Sequence, residues 1–299
     1  MKAGLEGIRA ARLAAGALFT CAGLACGASV HALLIDGAET QAQTPAIKAI
    51  LEMGDVHADV LTAPAKGNPF DPAFDRYKVV ILNYSSDQWP LTTMAALEKY
   101  VQNGGGLVAL ASADAAFPMW TEYNLMLGVS SAPNRDKSAG PIWFYQGDNV
   151  AFDSDLSGPA GKTQQPDQPF KVTIRNTEHP VAKGLPLVWM HATDKLAGDL
   201  RGPGKNMLVL ATAHSDKDHG GTGRDEAVLL AISYGRGRVF HTLLGKTEDG
   251  IACVGYQTTL QRGAEWAATG KVTLRMPTDF PREDKPSMRA AKAGARTVK

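Results

Sequence analysis

The chain has 299 residues, 44% of them hydrophobic, with 31 basic against 30 acidic side chains and a net charge of +1. That is ample apolar material for a core, and there is no global field to recruit nucleic acid or an anionic membrane, so neither partner is expected. The cysteines are Cys21, Cys26 and Cys253 alone, which excludes a disulfide scaffold.

Taken in chain order, the N-terminus reads as a targeting segment. Lys2, Arg9 and Arg12 form a positive region, residues 13–24 an apolar stretch too short to span a bilayer, and Cys26-Gly27-Ala28 a small-residue cleavage site. Residues 1–28 are therefore expected to be removed, leaving a periplasmic or secreted protein with no stable membrane span. The residues before Cys21 and Cys26 fit a lipidation signal poorly. Cys253, in the apolar run Ile251-Ala252-Cys253-Val254, reads as a buried structural thiol.

A first strand is predicted over 30–35, with Asp36-Gly37 at its carboxyl end, and a helix over 44–53 with Pro45 in its first turn, where a missing N–H costs nothing. A short strand at 59–61 follows. Residues 78–117 then read as strand, loop, helix, strand and polar turn. The apolar run 79–82 is a buried strand, and Met94, Leu97, Tyr100 and Val101 recur at helical spacing. Gly104-Gly105-Gly106 stops that helix before a strand at 107–110. This is a βαβ unit of a parallel sheet, and ligands bind such sheets beyond the carboxyl ends of the strands. A short helix over 120–127 leads into an irregular excursion over 129–170, placed on top of the sheet and carrying Trp143, Phe144 and Tyr145. Strands follow at 170–175 and 206–212, then a hairpin of 226–232 with 239–243 through the tight turn Tyr234-Gly235-Arg236-Gly237-Arg238. A helix over 258–268 closes the domain at Gly270. Beyond Met276 the chain is rich in Pro and charge, and 276–299 is expected to be a disordered basic tail.

Four stretches, 104–117 (GGGLVALASADAAF), 120–128 (WTEYNLMLG), 179–194 (HPVAKGLPLVWMHATD) and 234–245 (YGRGRVFHTLLG), together resemble the ThuA-like family, named for trehalose utilisation, and 253–271 is similar to a secreted branch of it. The resemblance implies a single α/β domain over 29–275, a flavodoxin-like or class I glutamine-amidotransferase-like three-layer sandwich with a mostly parallel central sheet. It also implies action on a saccharide or oxidised keto-sugar, hydrolytic or lytic. The alternative is a carbohydrate-binding or interaction module without catalysis. The chain departs from the family pattern at three places. Ala111 and Lys246 stand where relatives commonly carry His, and a His expected near residues 161–165 is absent. Those histidines would be natural acid/base groups or metal ligands. No metal or cofactor is predicted here.

The candidate site residues follow from position and chemistry. The elbow Leu110-Ala111-Ser112-Ala113 has no thiol, which rules against amidotransferase chemistry. Asp36 and Asp114 directly follow central strands and, with His191 and Asp194 in Trp189-Met190-His191-Ala192-Thr193-Asp194, are the expected catalytic groups. Asp87 sits at a third strand end. Trp89, Trp120 and Trp189 offer faces to a sugar ring, and Asn83, Gln88, Ser112, Arg135 and Lys246 offer polar edges. His241 reads as a core histidine. His214, Asp216, Asp218 and His219 have metal-ligand chemistry, but their setting, SDKDHGGTG, reads as a solvated hairpin tip.

Overall fold

The computed structural model describes residues 29–133, 135–154 and 160–291. The predicted targeting segment and the last eight residues of the predicted tail lie outside the described residues. The elements, in order, are β1 (Val30–Asp36), α1 (Thr44–Met53), β2 (Val56–Thr62), β3 (Val79–Asn83), α2 (Leu91–Gln102), β4 (Gly106–Ala109), α3 (Thr121–Leu127), β5 (Ile142–Gln146), β6 (Asn149–Asp153), β7 (Lys162–Thr163) and β8 (Gln168–Ile174). After these come β9 (Val188–Asp194), β10 (Ala197–Gly198), β11 (Leu200–Arg201), β12 (Met207–His214), β13 (Asp225–Tyr234), β14 (Gly237–Thr242), α4 (Glu248–Ala252) and α5 (Val254–Thr269).

The large sheet runs β2-β1-β3-β4-β14-β13-β12-β8-β9. From β2 to β14 every pairing is parallel, and from β14 to β9 every pairing is antiparallel. The expected mostly parallel sheet is thus corrected to a mixed one. The parallel half follows from βαβ crossovers, while β12, β13 and β14 are joined by hairpin connections with no crossover helix, so they lie antiparallel. No strand was expected at β9, which carries His191, and the excursion over 129–170 contains the β5–β6 hairpin joined to β13 through Tyr145↔Asp225.

Helices cover both faces. Val80, Leu82, Leu107 and Val239 pack with α2 and α3, and Ala32, Leu34, Ile81 and Phe240 pack with α1 and α5. The triple glycine has three separate causes. Gly104 turns the chain at φ +110°. A Cβ on Gly105 would lie 2.4 Å from the Tyr100 ring, and one on Gly106 would lie 2.5 Å from the Ala267 carbonyl oxygen of α5. Nearly the whole of α5 is buried, because it packs between the sheet, chiefly β4 and β14, and α1, and its first turn meets β9: the Trp189 ring lies 2.3 Å from where a Cβ on Gly255 would be. Residues 277–291, expected to be disordered, run along this same side. Phe280 packs on Trp189 at 5.6 Å between ring centres, Met190 N–H donates to the Arg282 carbonyl, and Arg289 N–H donates to that of Ala252. The segment covers the outer edge of β9, which a polar composition alone does not reveal. Among the described residues no helix is long and apolar enough to cross a membrane.

Candidate functional site

The predicted site residues gather at the carboxyl edge of the sheet, but in separate networks. At β1 and β3, Asp36 is buried and accepts from Thr44 Oγ1 at 2.7 Å. Asn83 donates to the Thr40 carbonyl at 3.0 Å and to Thr44 at 3.2 Å, and Ser112 Oγ donates to Asn83 Oδ1 at 2.8 Å. Asp36 Oδ1 keeps no partner. This network ties together the loops after β1, β3 and β4, and its half-exposed member is Ser112.

The second network surrounds Asp114, which is also buried. Its Oδ2 accepts from the Ser131 N–H at 2.9 Å and from the Ser131 hydroxyl. Lys246 Nζ, half-buried, lies 3.5 Å from Ser131 Oγ. Arg135 donates to Asn124 Oδ1 and leaves Nε and Nη1 unpartnered, so burial lowers its pKa while Asp114 opposes that. His241, absent from the predicted site, completes the group. Its Nδ1 contacts the Leu127 carbonyl at 3.1 Å, so Nδ1 carries the hydrogen and Nε2 faces Asp114 Oδ1 at 3.5 Å. Two lone pairs would meet there unless a proton sits between them, so the pair is a place where a proton can be held. Burial lowers the His241 pKa, with Asp114 pulling the other way.

The third network is structural. Asp194 accepts from His191 Nε2 at 2.8 Å, and from the N–H groups of Lys195 at 2.9 Å, Gly245 at 2.7 Å, Lys246 at 3.0 Å and Thr247 at 3.0 Å. A carboxylate so fully engaged has no oxygen left for a substrate. His191 and Trp189 have no exposed surface. Burial alone would lower the His191 pKa, but Asp194 and the neighbouring Cys253 thiol reverse this and hold it at about 9. The Cys253 thiol is held below its ordinary value by the same imidazole, against the opposing effect of burial. Cys253 is fully buried beside this pair. Residues 287–289 lie across it through Val254 N–H to Ser287 and the Cys253↔Met288 bridge. The expected catalytic roles of His191 and Asp194 and the stacking role of Trp189 are corrected accordingly. They fix the loop that carries Lys246, on the inside of the protein.

Two predicted aromatics do reach a surface depression. A groove of about 390 Å³ is lined by Trp89, Phe117 and Trp120, with Asp87, Glu122 and Met119 on its walls. Phe117 is its keystone, with ring centres 5.0 Å from Trp89, 5.4 Å from Trp120 and 5.4 Å from Tyr84. Its φ of +48° is a left-handed conformation that costs a bulky residue roughly 1–3 kcal/mol, and this aromatic packing holds it there. Trp89 Nε1–H has no partner, and Met119 and Leu91 stand exposed at 91% and 80%. Gln88, predicted to bind substrate, instead accepts the Lys66 N–H at 2.8 Å through its amide oxygen. Glu122 was missed by sequence reading because it sits in the first turn of α3 with nothing local to mark it. The His214, Asp216, Asp218 and His219 set does not converge, since His219 pairs with Asp216 and His214 with Asp225.

An α/β protein with a mixed sheet, helices on both faces and polar networks along the carboxyl edge of the parallel half is the class this structure defines. The profile of the ThuA family, described as trehalose utilisation, matches residues 32–267. The chain belongs to the ThuA family. A ThuA-like protein from Parabacteroides merdae ATCC 43184 is 38% identical, with a TM-score of 0.83 over 88% of this chain and 98% of its own. Another from Bacteroides uniformis ATCC 8492 is 18% identical, with a TM-score of 0.54 over 82% of this chain and 93% of its own. Agd3, a carbohydrate deacetylase, shares the fold alone, at 10% identity and a TM-score of 0.50 over 80% of this chain and 32% of its own. No curated protein shows significant sequence similarity to the chain.

Proposed function

We propose that the protein binds a saccharide in the Trp89–Phe117–Trp120 groove at the carboxyl edge of the sheet. One observation carries the reading: an aromatic floor with carboxylates at Asp87 and Glu122 on its walls. A sugar has apolar C–H faces that suit aromatic rings and hydroxyl edges that suit carboxylates. Membership of a family named for trehalose utilisation supports the same ligand class. The reading includes export, on the strength of residues 1–28. Calorimetric titration with a panel of disaccharides tests it. Trp120→Ala is expected to weaken binding by up to ~tenfold, about the loss of one good stacking contact. Unchanged affinity in that variant refutes this placement.

A second reading, in which the protein also acts on the sugar or its keto form, is favoured by the Lys246–Ser131–Asp114–His241 line. It joins a half-buried ammonium to a pair that can hold a proton. Lys246 replaces the family's commoner imidazole with a fixed positive charge, suited to steadying a developing oxyanion more than to relaying a proton. Incubation with disaccharides and their 3-keto forms, read by mass spectrometry, decides it. Product formed by wild type and lost in Lys246→Met supports catalysis. No product from any of them leaves binding as the function.

A further inference from the structure

A second groove, of about 400 Å³, lies between the β5–β6 hairpin and the start of β13 and shares no lining residue with the first. Phe144, Tyr145, Gln146, His214, Arg224 and Asp225 line it. β13 is antiparallel to β14, so its first residue, Asp225, falls at the same carboxyl edge as Lys246, which follows the adjacent strand β14.

His214 is oriented there. Its Nδ1 lies 2.8 Å from Asp225 Oδ1, which fixes the Nδ1–H tautomer and leaves the Nε2 lone pair free on a side chain that is 62% exposed. Asp225 is itself held, because its other oxygen accepts from Arg175 Nη2 at 2.8 Å, and Arg175 Nε donates to Thr212 Oγ1 at 2.8 Å. Arg175 lies over the Tyr145 ring and Arg224 over the Phe144 ring, each at 4.6 Å. A lone exposed ion pair adds ~0–1 kcal/mol. Four groups locked in series to aim one imidazole nitrogen outward achieve more orientation than stability needs.

The wall charges are matched. Arg175 pairs with Asp225 and Asp148, and Arg224 with Asp199 and Glu226. With no excess cation the groove does not select an anion. Aromatic rings, an amide and an unused acceptor suit a neutral polyhydroxylated ligand. We propose that this groove is a second saccharide site, in which His214 Nε2 accepts a hydrogen bond from a sugar hydroxyl. The inference stands on this geometry alone and is independent of the Trp120 groove.

The test is long-range ¹H–¹⁵N correlation of the histidine rings in the labelled protein during titration with trehalose, cellobiose, lactose and glucose. The His214 signals are identified by their loss in His214→Gln, a surface change that leaves the fold intact. The expected result is a saturable shift of the His214 ring with at least one sugar. That shift persists in Trp120→Ala and is lost in Phe144→Ala, and the affinity of the same sugar, read by calorimetric titration, falls by up to ~tenfold in His214→Gln, the value of one hydrogen bond to an oriented acceptor. No saturable shift with any of the four sugars overturns the proposal. So does a shift that survives Phe144→Ala but vanishes in Trp120→Ala, which would assign the binding to the other groove.

Discussion

Replacing Asp194 by Ala strips the acceptor from His191 and from the backbone N–H groups of Lys195, Gly245, Lys246 and Thr247. Breaking a buried pair from one side costs about 3–5 kcal/mol, so Asp194→Ala should fall at that end of the range for single substitutions. The pH dependence gives a second, signed test. In the fold His191 sits at about 9 against an ordinary 6.5, so the native state keeps a proton that the unfolded chain releases between those values. The stabilisation is complete below pH 6.5 and is lost as pH rises through about 9. At ~1.4 kcal/mol per tenfold change, the rise from 6.5 to about 9 amounts to about 3 kcal/mol. Asp194 acts at the acid end: its carboxyl is held below its ordinary range, so its contribution stands at neutral pH and fades on acidification. The Cys253 thiol has the opposite sign to His191. Held low, it loses its proton sooner in the fold than in the unfolded chain and adds stability as pH rises. The assay is therefore urea unfolding between pH 6 and 10 in Cys253→Ala, compared with Cys253→Ala/His191→Gln. The first should lose more stability than the second across that span, by less than the full ~3 kcal/mol because Cys253 supplies part of the His191 shift. Equal slopes, or an Asp194→Ala protein within ~1 kcal/mol of wild type, refute the reasoning.

Three further outcomes follow from the packing. Burial pushes the Glu226 carboxyl up to about 7, so the fold holds a proton that the unfolded chain has lost, and stability falls from pH 4.5 to 7. Glu226→Gln should leave melting unchanged near pH 4.5 and raise it at pH 8, by up to about 3 kcal/mol; an unaltered melting temperature at pH 8 contradicts this. A Cβ on Gly263 would sit 2.2 Å from the Phe240 ring, so Gly263→Ala should cost at least ~1–3 kcal/mol in denaturant titration, and a neutral result would mean that α5 can shift. Truncation after Arg275 removes the segment lying across Cys253. The thiol should be inert to a disulfide reagent in the full chain and react in the truncated one, with circular dichroism as the check on folding. Equal reactivity in both would show that the segment does not shield it.

Much of the parallel half was legible in the sequence because its signals are local. The apolar runs in β1, β3 and β4, Pro45 in the first turn of α1 and Gly104 after α2 each act within a few residues. Family membership was legible too, through stretches that keep their order along the chain. The placing of Asp36, Asn83, Ser112 and Asp114 at strand ends followed from topology alone. What those groups do there was decided by tertiary packing. Trp189, His191 and Asp194 look like a solvent-facing recognition motif in sequence. They became interior anchors because Trp189 packs against the first turn of α5 and residues 277–291 cover the edge of β9. The pairing of His241 with Asp114, of Glu122 with the Trp89–Trp120 groove and of His214 with Asp225 joins residues 127, 33 or 11 positions apart or across different elements. No local pattern encodes such contacts, since hydrogen bonds and burial depend on which surfaces meet. The sequence determined by itself the strands and helices of the parallel half, because backbone preference and apolar spacing are properties of neighbours. Only the folded chain decided which polar groups would face a ligand and which would be spent holding loops, because that depends on the water each group loses and the partners it finds.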